Sequence, residues 1–457
     1  MSDKNAKLQK VMRPIDVWGL ALGAIIGWGC FVLPGTTFLP KAGPAGTAAG
    51  MLIGALLVIV IAISYGYLIR TYPLSGGEFV YTKEAMGKRS AFVCGWAMIL
   101  AYWSLIPLNA TALALISRYL FPGIIQQGFL YEIAGWEVYA GEVVLASAAI
   151  IVMALINIRG IKQAAWMQTA IALTLVGCIL VITFLVFSIA DWSNLSPGFP
   201  EGRRWWKGVF SIVAMAPWAF IGFDCIPQSA EEYNFSHKKS TSIMISAILV
   251  AAILYIAVCA VTAVGVEPWQ DLLARRTNWP TGYVVRNTIG LAGIVVLGIA
   301  MFCAVVSGMN AFYISTSRLM YARAKEGSLP KWFEKLSDKY GTPVNAIIFV
   351  MVMSLFAPWF GREILIWIVD MTSVGAAIVF AYTTASAAIT GKRNGDRKYT
   401  VFGVLGCIFS MFFLSLLVIP GMPGYLSFQS RVVLLIWILI GVLFYFIIRK
   451  SYVKGQN

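Results

Sequence analysis

The chain has 457 residues, 59% of them apolar, with a mean hydropathy of +0.79 and a formal net charge of +15. Only 12% of residues are charged, which excludes a soluble domain of this size. A bilayer core filled by roughly 20 apolar residues per span makes the chain polytopic. The positive charge lies between the apolar runs, where the retention of Lys and Arg on the cytoplasmic side accounts for it and nucleic-acid binding is not needed. All seven cysteines fall inside apolar runs without a C-x-x-C pair, and the single histidine, His237, lies in a loop. No disulfide framework, metal site or cofactor is therefore expected. No nucleophile–base pair points to an enzyme, and no cleavable signal peptide is read at the N-terminus.

In chain order, residues 1–13 form a basic cytoplasmic tail carrying Lys4, Lys7, Lys10 and Arg13. The apolar runs predict an all-α membrane protein with twelve spans. Span 1 covers about Pro14 to Pro40, span 2 Gly43 to Arg70, span 3 Ser90 to Leu120, span 4 Val138 to Ile158 and span 5 Gly160 to Ala190. Span 6 covers Trp205 to Glu231, span 7 Ser240 to Val266, span 8 Val285 to Arg318 and span 9 Pro343 to Phe360. Span 10 covers Glu363 to Thr390, span 11 Tyr399 to Ile419 and span 12 Ser427 to Ile448. Residues 449–457 form a second cytoplasmic tail. With the N-terminus inside, 25 Lys and Arg fall on the inner side and ten on the outer. That asymmetry places both termini in the cytoplasm and the chain in the plasma (inner) membrane.

Two apolar runs break in the same way. Ile26-Gly27-Trp28-Gly29-Cys30-Phe31 and Ile221-Gly222-Phe223-Asp224-Cys225-Ile226 share the skeleton Ile-Gly-aromatic-x-Cys-apolar, and Pro34 and Pro227 follow. Open backbone at membrane depth is tolerated only where it lines a cavity or meets a ligand, and matched breaks in two halves mark a transporter's binding site. The first break offers N–H groups at the start of a half-helix near Cys30, suited to a carboxylate. The second, Gly222–Pro227, exposes carbonyls at the end of the first half of span 6, suited to an ammonium group, with Phe220, Ile221, Gly222, Phe223 and Asp224 as the candidate binding residues. Together they suit a zwitterion. Asp224 is a carboxylate at membrane depth and hence a functional-site candidate, as an ammonium partner, a proton-coupling site or a cap on the broken helix. Trp218, one turn before the second break, is positioned to close over a substrate. Glu231 and Glu232 end span 6 and are read as an inner gate or a solvated cluster. Asp370 is a weaker candidate near the outer end of span 10.

These motifs resemble the amino acid–polyamine–organocation (APC) superfamily of permeases along nearly the whole chain. Gly23 to Phe31 is similar to its broken first helix. Tyr72-Pro73-Leu74-Ser75-Gly76-Gly77-Glu78-Phe79-Val80-Tyr81, with Gly87 and Gly95-Trp96, resembles its signature segment after span 2. Phe220 to Cys225 with Ala230-Glu231-Glu232 resembles the sixth span of the cationic amino acid transporter branch. Ser317-Arg318, Ala322 to Pro330 and Pro343 resemble the segment after span 8. The resemblance implies five-plus-five inverted repeats, residues 14–190 and 205–390, with spans 11 and 12 (399–448) appended. It also implies alternating access, amino acid or amine substrates, and proton coupling or exchange. It assigns the substrate cap to Trp218. The chain departs from the family at Trp28, where a small residue is usual, and at Leu175, where some members carry a lysine. A secondary amino acid transporter is the leading expectation. An amine or polyamine permease is the alternative, and a sensor or channel of the same fold is a further one.

Overall fold

In the computed structural model, residues 8–133, 135–277 and 279–454 are described; the remaining residues of the two expected tails, 1–7 and 455–457, lie outside them. The chain is 77% helical, with one two-stranded hairpin among the described residues, so helices are the elements available to cross a bilayer, since they satisfy their own backbone groups.

In order, the chain forms α1 (Pro14–Ile25), α2 (Gly29–Leu33), a π-helical turn Pro34–Phe38, α3 (Leu39–Thr71), α4 (Gly77–Met86), α5 (Lys88–Trp103) and α6 (Leu105–Leu120). The hairpin β1 (Phe129–Ile133) and β2 (Trp136–Tyr139) precedes α7 (Ala140–Ile158) and α8 (Ile161–Ser188). Then come α9 (Trp205–Val213), α10 (Ala216–Ala219), α11 (Cys225–Gln228), α12 (Ser240–Val264), α13 (Trp269–Ala274) and α14 (Pro280–Thr288). The chain ends with α15 (Leu291–Lys325), α16 (Val344–Ser354), α17 (Gly361–Arg393), α18 (Arg397–Val418) and α19 (Phe428–Lys454). Among the described residues, nine helical stretches are long and apolar enough to cross a membrane, and two shorter apolar ones are Pro14–Ile25 and Val344–Phe360.

The boundaries differ from the sequence reading in several places, among them the start of the eighth span, which moves from Val285 to Leu291. Helix runs on from Gly29 to Thr71, and the turn between the first two expected spans is made by Gly43 at φ 67°, followed by Pro44. Phe129–Ile133 and Trp136–Tyr139 pair as an antiparallel hairpin that takes in Val138, the expected start of span 4, so the helix begins at Ala140. The eighth span was expected to end at Arg318, but α15 continues through Ala322-Arg323-Ala324-Lys325, all good helix formers.

Helix α1 packs against α8, α12 and α15, and α15 packs against α6 and α8. This group surrounds the first break. On the periphery, Trp166, Leu173, Leu180 and Phe184 of α8 and Leu435, Leu439 and Leu443 of α19 are exposed. Such apolar outer faces suit lipid rather than water.

Candidate functional site

The two breaks meet. Gly222 adopts φ 129°, and a Cβ there would stand 2.6 Å from Ala24 Cβ and 2.7 Å from Ile25 N. The second break thus lies directly on the end of α1, an approach that only glycine permits. Three side chains from elsewhere in the chain complete the exposed backbone: Tyr102 Oη donates to Asp224 O at 2.9 Å, Tyr255 Oη to Ile25 O at 3.3 Å, and Trp279 Nε1 to Phe31 O at 2.9 Å. None of these was singled out in the sequence. An aromatic donor isolated in an apolar run is the signal that marks them, because a buried O–H or N–H needs a partner.

The first break is less open than expected. Cys30 N–H reaches back to Gly27 O, Phe31 N–H to Trp28 O, and Gly27 N–H to Ile25 O. At the second break Cys225 N–H bonds Gly222 O and Ile226 N–H bonds Phe223 O. Asp224 is 2% exposed and its Oδ1 accepts from Gly222 N–H at 2.7 Å. In this form the carboxylate holds the shape of the break.

Between the breaks is a cavity of about 20 Å³ lined by Ala24, Ile25, Gly27, Trp28, Leu105, Leu108, Asn109, Trp218, Ile221, Tyr255 and Phe312. That volume holds one water and little more. Of the residues expected at the site, Gly27, Trp28, Trp218 and Ile221 line it. Ile26, Gly29, Cys30, Phe220, Gly222, Phe223 and Asp224 do not line it: Phe220 packs edge-on to Tyr255, and Phe223 packs against Tyr65 and Phe380. Asn109 was missed. Its Nδ2 donates to Leu105 O at 2.7 Å, while its buried Oδ1 has no hydrogen-bond partner and faces the open side of Gly27. An unmatched buried acceptor costs about 1–3 kcal/mol, a cost that a bound donor removes.

Trp28 and Trp218 close this cavity from above. Their rings meet edge-on with centroids 6.3 Å apart, and both also line a second cavity of about 630 Å³ on the side away from the N-terminus. Lys41, Tyr119, Asp370 and Tyr425 line that larger space, and Asp370 Oδ2 accepts from Ser430 Oγ at 2.7 Å. Gly29 makes room for the lid, since a Cβ there would stand 2.4 Å from Trp218 Cη2.

On the N-terminal side the structure is tightly tied. Arg318 Nη2 and Nε donate to Glu232 Oε1 and Oε2 at 3.0 and 3.2 Å, with both residues inaccessible. Val11 and Met12 N–H bond Glu232 O, and Glu231 Oε1 accepts from Ser75 N–H at 3.0 Å.

Where some relatives carry a lysine, Leu175 is fully buried. Two turns earlier on α8, Gln168 belongs to an amide relay. Asn157 Nδ2 donates to Asn310 Oδ1, Asn310 Nδ2 to Gln168 Oε1, and Gln168 Nε2 to Gly19 O, at 2.9, 2.9 and 3.1 Å. Neutral amides thus bridge α7, α15, α8 and α1.

The sequence profile described as amino acid permease matches residues 14–444. The chain is 27% identical to the methylthioribose transporter of Bacillus subtilis (strain 168), over 98% of this chain and 95% of that protein. It is 26% identical to the branched-chain amino acid permease BcaP of the same organism, over 98% and 94%. It is 26% identical to cationic amino acid transporter 4 of Mus musculus, over 85% and 61%. With helices enough for a multi-pass membrane protein and relatives that are transporters rather than enzymes, the chain belongs to the amino acid permease family of the APC superfamily.

Proposed function

We propose that the protein is a secondary transporter that carries a neutral amino acid with an apolar side chain across the plasma membrane by alternating access. The observation that carries this reading is the small cavity between the breaks. Its lining includes no charged side chain, and of the two unsatisfied polar atoms its lining residues carry, Trp218 Nε1 and Asn109 Oδ1, the latter is the acceptor, suited to an α-ammonium group. A cationic side chain or a polyamine would find no counter-charge there, because Asp224 is turned to Gly222 N–H. The 26% identity to a branched-chain amino acid permease points the same way.

The architecture behind this reading has twelve spans, with residues 14–190 and 205–390 as inverted repeats, 399–448 appended, and both ends (1–13 and 449–457) in the cytoplasm. The charge asymmetry of the loops supports it, as does the pairing of the α1/α2 break with the α10/α11 break. Trp28 and Trp218 then form the outer lid, and the ties of Glu231 and Glu232 form the inner closure. The 630 Å³ space is the outer vestibule, of a size that holds small ligands.

A thermal-shift panel of leucine, valine, arginine, putrescine and methylthioribose on purified protein tests this. Leucine or valine is expected to raise the unfolding temperature, since a ligand of the folded state stabilises it, and then to exchange in liposomes. Stabilisation by putrescine alone would replace the reading with an amine permease. Stabilisation by methylthioribose alone would place the chain with its sugar-transporting relative.

A further inference from the structure

Glu78 is a buried charge that the transport reading leaves unused. It lies in the first turn of α4 and is wholly inaccessible. Gly76 and Gly77, at φ 97° and 44°, turn the chain just before it. A Cβ on Gly77 would stand 2.8 Å from both Pro227 Cβ and Gln228 Nε2, so the turn is pressed onto α11, the half-helix that leaves the second break. Across this contact Gln228 Nε2 donates to Glu78 Oε2 at 2.5 Å, and Gln228 is fully buried too.

Two oxygens are left over. Glu78 Oε1 and Gln228 Oε1 have no hydrogen-bond partner. An ionised carboxylate cannot satisfy the amide oxygen, because both only accept. A single proton on Glu78 Oε1 would supply the donor that the amide oxygen lacks, O–H to the amide oxygen beside the existing N–H to the acid carbonyl.

The surroundings favour the neutral form. The titratable groups facing Glu78 are Tyr65 from α3, Tyr81 on α4, Cys94 and Tyr102 from α5, and Asp224 and Cys225 at the second break. The Tyr65 hydroxyl is nearby but outside hydrogen-bond geometry. The cations of the packed elements are engaged elsewhere. Arg323 of α15 lies over the rings of Phe79 and Phe92 and donates from Nε to Ser328 Oγ, with its buried Nη1 and Nη2 unpartnered and no bond to Glu78; Lys83 of α4 pairs with Glu326, and Arg393 of α17 donates to Glu84 O and Ala85 O. A buried charge without a counter-ion neutralises instead. Burial first, and then the charge of Asp224, hold the Glu78 carboxyl well above the usual carboxylate range.

We propose that Glu78 and Gln228 form a proton-binding site whose occupancy is tied to closure of the cytoplasmic side. The closed form holds the proton in the acid–amide pair. Opening draws α11 away from α4, hydrates Glu78 and releases the proton. This rests on the alternating-access reading. The closed form then carries one proton more than the open form. Because the carboxyl is raised in the closed form, its preference for closure is complete at low pH and is lost as pH rises through the closed-form value. Within that window each pH unit changes the closed-to-open ratio about tenfold.

Ser229, fully buried beside Gln228, reports the opening. In proteoliposomes loaded with leucine, Ser229→Cys is labelled with a hydrophilic maleimide and read by peptide mass spectrometry. The ratio of labelling rates with Glu78 and with Glu78→Gln cancels the ionisation of the thiol itself. That ratio is expected to rise about tenfold per pH unit across part of the neutral range, and a flat ratio overturns the proposal. Should Glu78→Gln fail to fold, infrared difference spectra decide. A protonated-carboxyl band is expected in the wild type at neutral pH, displaced in Glu78→Asp and kept in Asp224→Asn; its absence from the wild type overturns the proposal. Leucine accumulation under an imposed pH gradient separates the two sources of the proton. Loss in Glu78→Gln assigns it to the outer solution. Accumulation unchanged by the substitution, or absent from the wild type, assigns it to the cytoplasm. Wild-type liposomes that exchange no leucine would sink the transport reading, while the infrared band is judged separately.

Discussion

The two breaks share a spelling and divide the labour. Gly222, at φ 129°, has the backbone of Ala24 and Ile25 where its Cβ would be, so glycine there lets one break lie on the other. At Gly27 the backbone is ordinary, and a Cβ would meet only Asn109 Oδ1 at 3.6 Å. Glycine there leaves space that nothing in the protein fills. The same letters in two halves thus mark a structural joint in one and a ligand space in the other. The joint is also where Asp224 works, through its bond to Gly222 N–H. The space is where Asn109 keeps an acceptor in reserve.

The joint should be the more damaging place to add a methyl group. Gly222→Ala combines a strained φ with contacts below 3 Å to backbone atoms that cannot swing aside. We expect a loss of about 3 kcal/mol, read as a fall in unfolding temperature, with no exchange activity. Stability near the wild type would show that the two breaks part easily and that Gly222 is not the joint. Gly29→Val comes next. Its added atoms occupy the position of the Trp218 ring, so the lid cannot seat and leucine exchange should be abolished. The Trp218→Ala background sharpens this. If the valine acts only through the ring, adding it there costs nothing further, the non-additivity expected of residues in contact.

How much of this was legible in the sequence follows from the physics of each signal. The apolar runs and the paired glycine–proline breaks were legible because lipid penalises open backbone wherever it occurs, regardless of tertiary structure. The direction of a side chain is not encoded in that way. Asp224 was read as an ammonium partner, a proton-coupling site or a cap on the broken helix, and only the local turn, which brings its Oδ1 onto the N–H of Gly222 two residues earlier, gives it a partner in this form. Asn109 and Tyr102 passed as isolated polar groups in an apolar run. Tyr102 gains its meaning from Asp224, 122 positions away, a pairing that only the packed helices create. Looking for a lysine at Leu175 likewise missed the relay through Gln168, because three neutral amides carry no charge signature.

At the ligand space the effects should be smaller and fall on transport before stability. Asn109→Ala removes the reserved acceptor and leaves Leu105 O to its helix. The Michaelis constant for leucine should rise roughly tenfold, about 1.4 kcal/mol, with little change in turnover, since a hydrogen bond to a charged group contributes about 1.5–3 kcal/mol. An unchanged constant would mean that the ammonium group is read elsewhere.

Gly27→Ala tests the comparison at its most delicate point. The new methyl would sit at ordinary contact distance from Asn109 Oδ1, so unfolding temperature should hold, as for substitutions within about 0.5 kcal/mol. The cavity is already only about 20 Å³, and it must expand, by movement of Trp28 and Trp218, to admit any amino acid. A methyl on the fixed wall subtracts volume that the lid cannot restore. Exchange of leucine should therefore weaken several-fold while exchange of alanine persists, because one methylene in an apolar pocket changes discrimination by about 1–3 kcal/mol. Equal losses for both substrates would argue that Gly27 serves the backbone, as Gly222 does, and the difference between the two breaks would disappear.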